Sequence, residues 1–432
     1  MSILDTGRRT AAPSASHLDA ELWPDIVTVP GNRTRAWVAQ RLFERVVRKL
    51  ALHVLLPDGR ALGAGGLSGP VLRLRRPEAF YQRIGSSGLV GFGEAYMAGD
   101  WETDDLVGVL EAIASRVATL IPLPLQRLRH AYLVRSPRHE SNTVRQAKDN
   151  IARHYDLSND MFAAFLDETM TYSSAVFSSV IPEDAVDDTL ESAQLRKIDR
   201  LLDLAKVGPG TRLLEIGTGW GELACRAGQR GATVKSVTIS EEQANLARTR
   251  IDAAGLSSSV EVDLLDYRLV RGEFDAIISV EMIEAVGLDH LAEYVSTLDR
   301  LLAPGGHIAL QAITMPHDRM VASQDTYTWI RKYIFPGGQI LSVQAIEDAL
   351  TTNTSLRVAA KASFGLHYAE TLKRWRTTFL ANRSQIGALG FDEVFSRMWS
   401  FYLAYSEAGF RARYLDVHQL LLTSSRSAPA AA

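Results

Sequence analysis

Between Leu195 and Thr314 the chain changes hydrophobic period repeatedly, from the three-to-four spacing of a helix to the two of a strand and back. Leu195, Ile198, Leu201, Leu202 and Ala205 recur at helical spacing until Gly208, Pro209 and Gly210 stop the pattern. The β-rich run RLLEIG follows, then a glycine-rich turn, the helical run ELACRAGQRG, the strand-like ATVKSVTIS and the helix EEQANLARTRIDAAG. VEVDLLD, FDAIISVE and HIALQAIT are three further strand candidates, each separated from the next by helical or turn sequence. Strands alternating with helices predict an α/β unit built on a mostly parallel, doubly wound sheet with right-handed crossovers. No internal repeat is evident.

The preceding part of the chain has a different texture. From Arg35 to Leu50, Trp37, Val38, Leu42, Val46, Val47 and Leu50 fall at helical spacing among Arg41, Arg45, Arg48 and Lys49, which predicts an amphipathic basic helix. Such a helix packs on its own small domain or lies on a membrane. Strand candidates LALHVLLP and VLRLRR and the glycine-punctuated stretch LVGFGEAYMAGDWE complete a small α+β domain over 21–130. A polar linker with Pro137 is expected over 131–149 and the larger domain over 150–424. The Ser, Ala and Pro-rich ends, 1–20 and 425–432, read as disordered.

Charge narrows the partners. The 432 residues carry 47 Lys+Arg and 50 Asp+Glu, a formal charge of -3, which argues against a nucleic-acid binder. Residues 1–150 nevertheless hold 20 Lys+Arg against 15 Asp+Glu, an excess that suits anionic headgroups or simply a solvated surface. The single cysteine, Cys225, excludes an internal disulfide or a cysteine-rich metal site and fits a reducing cytoplasm. There is neither a membrane-length apolar run nor a signal-peptide core. A cytoplasmic protein, peripheral at the inner face of a membrane if it handles lipid, is the expectation.

The sharpest motif is Glu215-Ile216-Gly217-Thr218-Gly219-Trp220-Gly221, between a strand and a helix. Glycines there let the backbone turn tightly beneath a ligand lying over the strand ends. The third glycine comes too early for a dinucleotide fingerprint, and no phosphate-binding Gly-x-x-x-x-Gly-Lys-Ser/Thr occurs. Thr238, Ile239 and Gln243 fall where ribose-binding groups sit in a doubly wound sheet. Leu265, Asp266 and Tyr267 end the next strand, at an adenine-facing position; each taken alone is also an ordinary cap or turn.

Several ordered segments then make the chain resemble the cyclopropane-fatty-acid synthase family. They are His154-Tyr155-Asp156-Leu157-Ser158-Asn159-Asp160, Met170-Thr171-Tyr172-Ser173-Ser174-Ala175, the glycine motif, Ser279-Val280-Glu281-Met282-Ile283-Glu284, Tyr333 to Gly338, Phe364-Gly365 with Tyr368, and Tyr402 to Phe410. Gly93-Glu94-Ala95-Tyr96-Met97 resembles the family's amino-terminal signature. The resemblance implies a class I, Rossmann-like methyltransferase that uses S-adenosylmethionine to methylate the double bond of an unsaturated phospholipid, leaving a carbocation. It implies that Tyr172 and Ser173 help bind the cofactor and that His154-Tyr155 forms a lid. It further implies a bicarbonate or carbonate base held by Glu284, Tyr368 and the backbone of Ile313. Ser174 stands where many members have cysteine, and Gln311 where many have histidine; both can still hydrogen-bond an oxyanion, yet losing an imidazole changes how the base is tuned. Proton loss from the cation closes a cyclopropane ring or leaves an exocyclic methylene. The wording of Glu281 to Gly287, Gln311 to Met315 and His367 to Leu372 is similar to the branch making a 10-methylene chain, which a separate reductase converts to the 10-methyl branch of tuberculostearic acid. Family members often form homodimers.

Blander readings stand beside these. Glu284 follows an apolar strand, where a carboxylate also serves as a helix cap. Tyr402, Tyr405 and Phe410 suit either a core or an acyl channel. A small-molecule or protein methyltransferase on the same sheet, and a lipid-binding partner with a decayed site, are the competing functions. The ten histidines form no H-E-x-x-H or similar cluster, so no metal is expected.

Overall fold

A computed structural model describes residues 19–65, 69–116, 158–180, 188–324 and 326–425. The linker over 131–149, the His154-Tyr155 pair and nearly all of both chain ends lie outside the described residues. The chain divides into two compact units: Met1–Leu120 with Asp392–Phe401, and Ile121–Phe391 with Tyr402–Ala432. No local pattern announces that Asp392–Phe401, at the start of helix Glu393–Arg411, belongs with the first unit.

In the first unit, strands β1 (His53–Leu55), β2 (Ala61–Leu62), β3 (Val71–Leu74) and β4 (Trp101–Glu102) form a sheet of order β2-β1-β3-β4. The predicted basic helix spans Arg33–Val47 and is capped by the Asn32 side chain on Arg35 N. The glycine-punctuated stretch is a helix, Leu89–Met97, which follows helix Pro77–Ser87. Its glycines serve packing: a Cβ on Gly91 would stand 2.1 Å from Arg83 O. Arg83 is itself buried and compensated, with Nε donating to Asp100 at 2.9 Å and Nη1 and Nη2 donating to Asp25 O and Ile26 O.

The second unit carries seven strands: β5 (Arg212–Ile216), β6 (Thr233–Thr238), β7 (Val260–Leu264), β8 (Phe274–Val280), β9 (Leu302–Thr314), β10 (Leu356–Ser363) and β11 (Asp416–Ser424). Their order is β10-β11-β9-β8-β5-β6-β7. Neighbours from β9 through β8, β5 and β6 to β7 are parallel, and β11 pairs antiparallel with both β9 and β10. Side-chain alternation decides the layers. Leu214, Ile216, Ile277, Ile308 and Leu310 pack with helices Leu288–Leu301 and Val343–Asn353. Leu213, Ala276, Ile278 and Ala309 pack with helices Leu190–Leu204, Glu222–Gln229 and Glu241–Ala253. Both faces are thereby covered, as a parallel sheet requires. The strand order reverses between β5 and β8, and the crevice at the carboxyl ends there is where ligands of doubly wound sheets bind.

Candidate active site

The glycine motif turns out of β5 at that crevice. Gly217, Gly219 and Gly221 all have positive φ (94°, 52° and 91°), so the turn depends on residues without a Cβ. Gly221 also lies against helix Glu241–Ala253, since a Cβ there would stand 3.0 Å from Ala247 Cβ. Glu215 is buried, accepts from Ser236 Oγ at 2.5 Å, and lies directly across from Ser236 on β6. Burial pushes its carboxyl up to about 8. Thr218 Oγ1 and Ser236 Oγ are 2.7 Å apart, so Glu215 anchors the loop from beneath.

At the end of β6, Thr238 Oγ1 donates to Gln243 Oε1 at 3.0 Å, and Ser240 caps the following helix on Gln243 N. Ile239 between them is partly exposed. At the end of β7, Leu265 N donates to Thr238 O at 2.9 Å. Asp266 accepts from Arg268 N and pairs with its guanidinium at 2.7 Å. Tyr267 lies edge-on to Tyr294, 5.4 Å away, against the core. The structure thus brings all six residues to consecutive strand ends beside the glycine loop, with Asp266 and Tyr267 also holding the turn.

The fourth strand end carries the carboxylates. Ser279 Oγ donates to Ile216 O, and Met282 lies 3.6 Å from the place a Gly217 Cβ would take, so the glycine loop adjoins the segment Glu281–Glu284. Glu281 has φ 49°, which a non-glycine residue rarely adopts. Its N donates to Gln311 O at 2.8 Å. Its Oε1 accepts from Ser174 N and from Gln311 Nε2, each at 2.8 Å. Glu284 accepts from Ile313 N, while its Oε2 is buried with no hydrogen-bond partner. Both residues are partly buried.

Aromatic side chains form a packed cluster in the same unit. Tyr172 stacks on Trp375 at 5.2 Å, and its hydroxyl meets the Tyr402 hydroxyl at 2.7 Å. Tyr368 packs on Phe410 at 4.7 Å and edge-on to Trp375. Tyr368, Thr371 and Trp375 share one face of helix Gly365–Ala381 by helical spacing. From the same helix, Thr371 Oγ1 accepts from Ala175 N and His367 Nδ1 accepts from Phe177 N, which secures the 173–177 segment. Tyr402 and Phe410 are buried, whereas Tyr405 is exposed.

Burial raises the carboxyl of Glu281, opposed by the nearby Lys197 charge and by its donors. Glu284 is pushed up to about 8, first by burial and then by the charge of Glu281. Lys197 is buried, donates to Ser173 Oγ at 2.5 Å, and is pushed down to about 8 by burial. Gln194 donates to Ser173 O. Ser174 Oγ donates to Ala175 O, so only this residue's backbone faces Glu281. Three donors at the positions matched to a bicarbonate site, Ser174 N, Gln311 Nε2 and Ile313 N, are engaged by the two carboxyl groups. These donors are not free for an added anion. No group of His, Cys, Asp or Glu able to hold a metal occurs among the described residues.

Sequence reasoning named Glu281 only as part of a motif and missed Lys197, Gln419 and Arg200. Arg200 Nε donates to Gln419 Oε1, and Gln419 Nε2 donates to Gln311 Oε1, each at 2.9 Å. One signal was available: a second acidic residue three positions before Glu284, following an apolar strand.

The sheet order, the glycine loop and the carboxylates over the switch point define a class I S-adenosylmethionine-dependent methyltransferase. Residues 142–420 match the family model described as mycolic acid cyclopropane synthetase. Tuberculostearic acid methyltransferase UfaA1 of Mycobacterium tuberculosis is 51% identical over 96% of this chain and 98% of its own length. Cyclopropane-fatty-acyl-phospholipid synthase of Escherichia coli is 34% identical over 82% of this chain and 87% of its own. The crystal structure of mycolic acid cyclopropane synthase CmaA1, complexed with SAH and CTAB, superposes with a TM-score of 0.58 at 31% identity, covering 66% of this chain and 98% of that one. The chain belongs to the mycolic acid cyclopropane synthetase family.

Proposed function

We propose that the protein transfers a methyl carbon from S-adenosylmethionine to the double bond of an oleoyl-type phospholipid chain and leaves a 10-methylene acyl product. The observation that carries this reading is the pair Glu281 and Glu284 beside the glycine loop, with the aromatic cluster of Tyr172, Tyr368, Trp375, Tyr402 and Phe410 in the same unit. When bound, S-adenosylmethionine supplies an electrophilic methyl group to the alkene. The aromatic cluster would exclude water from the resulting acyl cation, and its ring faces would stabilise positive charge. The carboxylates offer a destination for the proton. The similarity to a tuberculostearic acid methyltransferase supports the methylene product over ring closure. A separate reductase would then convert the methylene to a methyl branch.

The acyl chain would be met at a membrane surface. No helix among the described residues is long and apolar enough to cross a membrane. Helix Arg33–Val47 instead exposes Trp37 (60%), Val38 (44%) and Leu42 (43%) among its arginines, a composition suited to anionic lipid at the inner face. A homodimer remains part of the proposal through the family resemblance.

The test is incubation of the purified protein with S-adenosylmethionine and oleoyl phospholipid vesicles, followed by mass spectrometry and nuclear magnetic resonance. The expected result is a gain of one CH2 with exocyclic-methylene resonances. Ring resonances would favour the cyclopropane product, and no gain under any lipid presentation would refute the reading.

A further inference from the structure

Glu281 takes up donors at two of the positions that the family resemblance matches to a bound anion. Ser174 N and Gln311 Nε2 both reach its Oε1 at 2.8 Å. We infer that Glu281 is the built-in base of this enzyme, a carboxylate of the chain itself that stands in place of a diffusible bicarbonate and takes the proton released in product formation. The inference rests on the methyl transfer proposed above.

Three features of the structure support it. The first is orientation. Arg200 has donors only, so Gln419 must turn its oxygen to Arg200 and its NH2 to Gln311. Gln311 must then turn its own NH2 to Glu281, so the polarity of the relay runs one way and ends on an acceptor. The strand pairing sets this up, because β11 lies beside β9 with Gln419 directly across from Gln311. The second is strain. Glu281 keeps φ 49° at the end of β8, a conformation that persists in a non-glycine residue only where its surroundings over-determine it, and such residues cluster at functional sites. The third is donor occupancy. Ser174 N, Gln311 Nε2 and Ile313 N, at positions matched to a bicarbonate site, already donate to carboxyl groups of the chain itself.

The step balances as follows. The alkene π pair forms the new carbon–carbon bond to the methyl, the carbon–sulfur pair stays on sulfur, and the neighbouring chain carbon becomes cationic. A hydride moves from the methyl-bearing carbon to that cation, which places the charge on the methyl-bearing carbon. Glu281 then takes a proton from the new methyl group, and the C–H pair becomes the exocyclic double bond. The proton leaves Glu281 for water when the product departs. Ring closure would instead require the same proton to be removed before the hydride moves, so the position of Glu281 also bears on which product forms.

The test compares wild type, Glu281→Gly and Glu281→Gln with S-adenosylmethionine and dioleoyl phosphatidylglycerol vesicles, in CO2-free buffer and in buffer with bicarbonate or formate. S-adenosylhomocysteine formation and product resonances are the readouts. Wild type should be indifferent to bicarbonate. Glu281→Gly, whose glycine suits the positive φ, should lose about 100-fold or more in CO2-free buffer and recover when the small anions are added. Glu281→Gln should be equally slow and not recover, because its amide fills the space. S-adenosylhomocysteine binding and melting curves verify that both variants fold. Wild-type activity that falls on removing bicarbonate, a measurement that needs no variant, would overturn the assignment alone. So would a Glu281→Gly variant as fast as wild type without added anion. Absence of methylated lipid from wild type in every buffer would overturn the underlying reading and the assignment with it.

Discussion

Gly219 and Gly221 belong to one loop, yet the structure separates what each contributes. At Gly221 a Cβ would stand 3.0 Å from Ala247 Cβ and 3.1 Å from Ala247 Cα, inside the usual carbon–carbon separation, and φ is 91°. Gly221→Ala therefore combines a left-handed backbone cost of about 1–2 kcal/mol with overpacking of about 1–3 kcal/mol. The sum, about 2–5 kcal/mol, should lower the melting temperature by roughly 5–15 °C for a unit of this size. At Gly219 φ is 52° and nothing lies within 4 Å of the added carbon. Gly219→Ala should cost only the backbone contribution, about 1–2 kcal/mol. Its methyl group would instead project into the crevice over the strand ends and obstruct the cofactor. Thermal unfolding followed by circular dichroism measures the first effect, and calorimetric titration with S-adenosylhomocysteine the second. Gly221→Ala should be the less stable variant and Gly219→Ala the weaker binder. The reverse order, or a Gly221→Ala protein melting with wild type, would refute the packing role assigned to Gly221.

Three further outcomes follow from the same geometry. Glu284→Gln keeps the shape of a side chain whose carboxyl is pushed up to about 8, so the variant should fold and melt close to wild type while methyl transfer falls about 100-fold; unchanged turnover would remove Glu284 from the chemistry. Glu215, also raised to about 8 from an ordinary 4.5, favours the native state only while protonated. The stability it contributes is complete below about pH 4.5 and is lost as pH rises through 8, so the unliganded wild type should lose stability relative to Glu215→Gln across that window. The difference should reach at most about 1.4 kcal/mol per pH unit, and parallel pH profiles of melting would count against the buried acid. Gln419→Met leaves the buried Gln311 Oε1 without its donor, which should cost about 1–3 kcal/mol in denaturant unfolding and lower kcat more than it raises KM; an unaltered kcat would show that the relay does not orient Glu281.

Much of the larger unit was legible in the sequence because its signals are local. A strand buried on both faces must be apolar throughout, and RLLEIG and FDAIISVE state that directly. The glycines of 217, 219 and 221 mark a turn whatever surrounds them, and the helix cap at Ser240 needs only its own residues. LVGFGEAYM was less legible, since glycine signals a turn by default and only packing against Arg83 O explains it inside a helix. The polar residues near 174, 311 and 368 were identified as candidates through family resemblance, but their partners were not.

Those partners are where tertiary structure decided the matter. Glu281, Ser174 and Gln311 lie far apart in the chain, and no local spacing encodes their meeting on one carboxylate. It depends on β11 entering the sheet antiparallel between β9 and β10, which puts Gln419 across from Gln311, and on a helix between β10 and β11 whose Thr371 holds the segment around Ser174. The positive φ of Glu281 is likewise invisible in its letter, because a glutamate is held there only by contacts from elsewhere. Sequence by itself determined that a ligand-binding turn lies at the glycine loop, since backbone freedom and hydrophobic period are properties of neighbouring residues. Which carboxylate gathers the hydrogen bonds was determined by strand order and burial, which are properties of the whole fold.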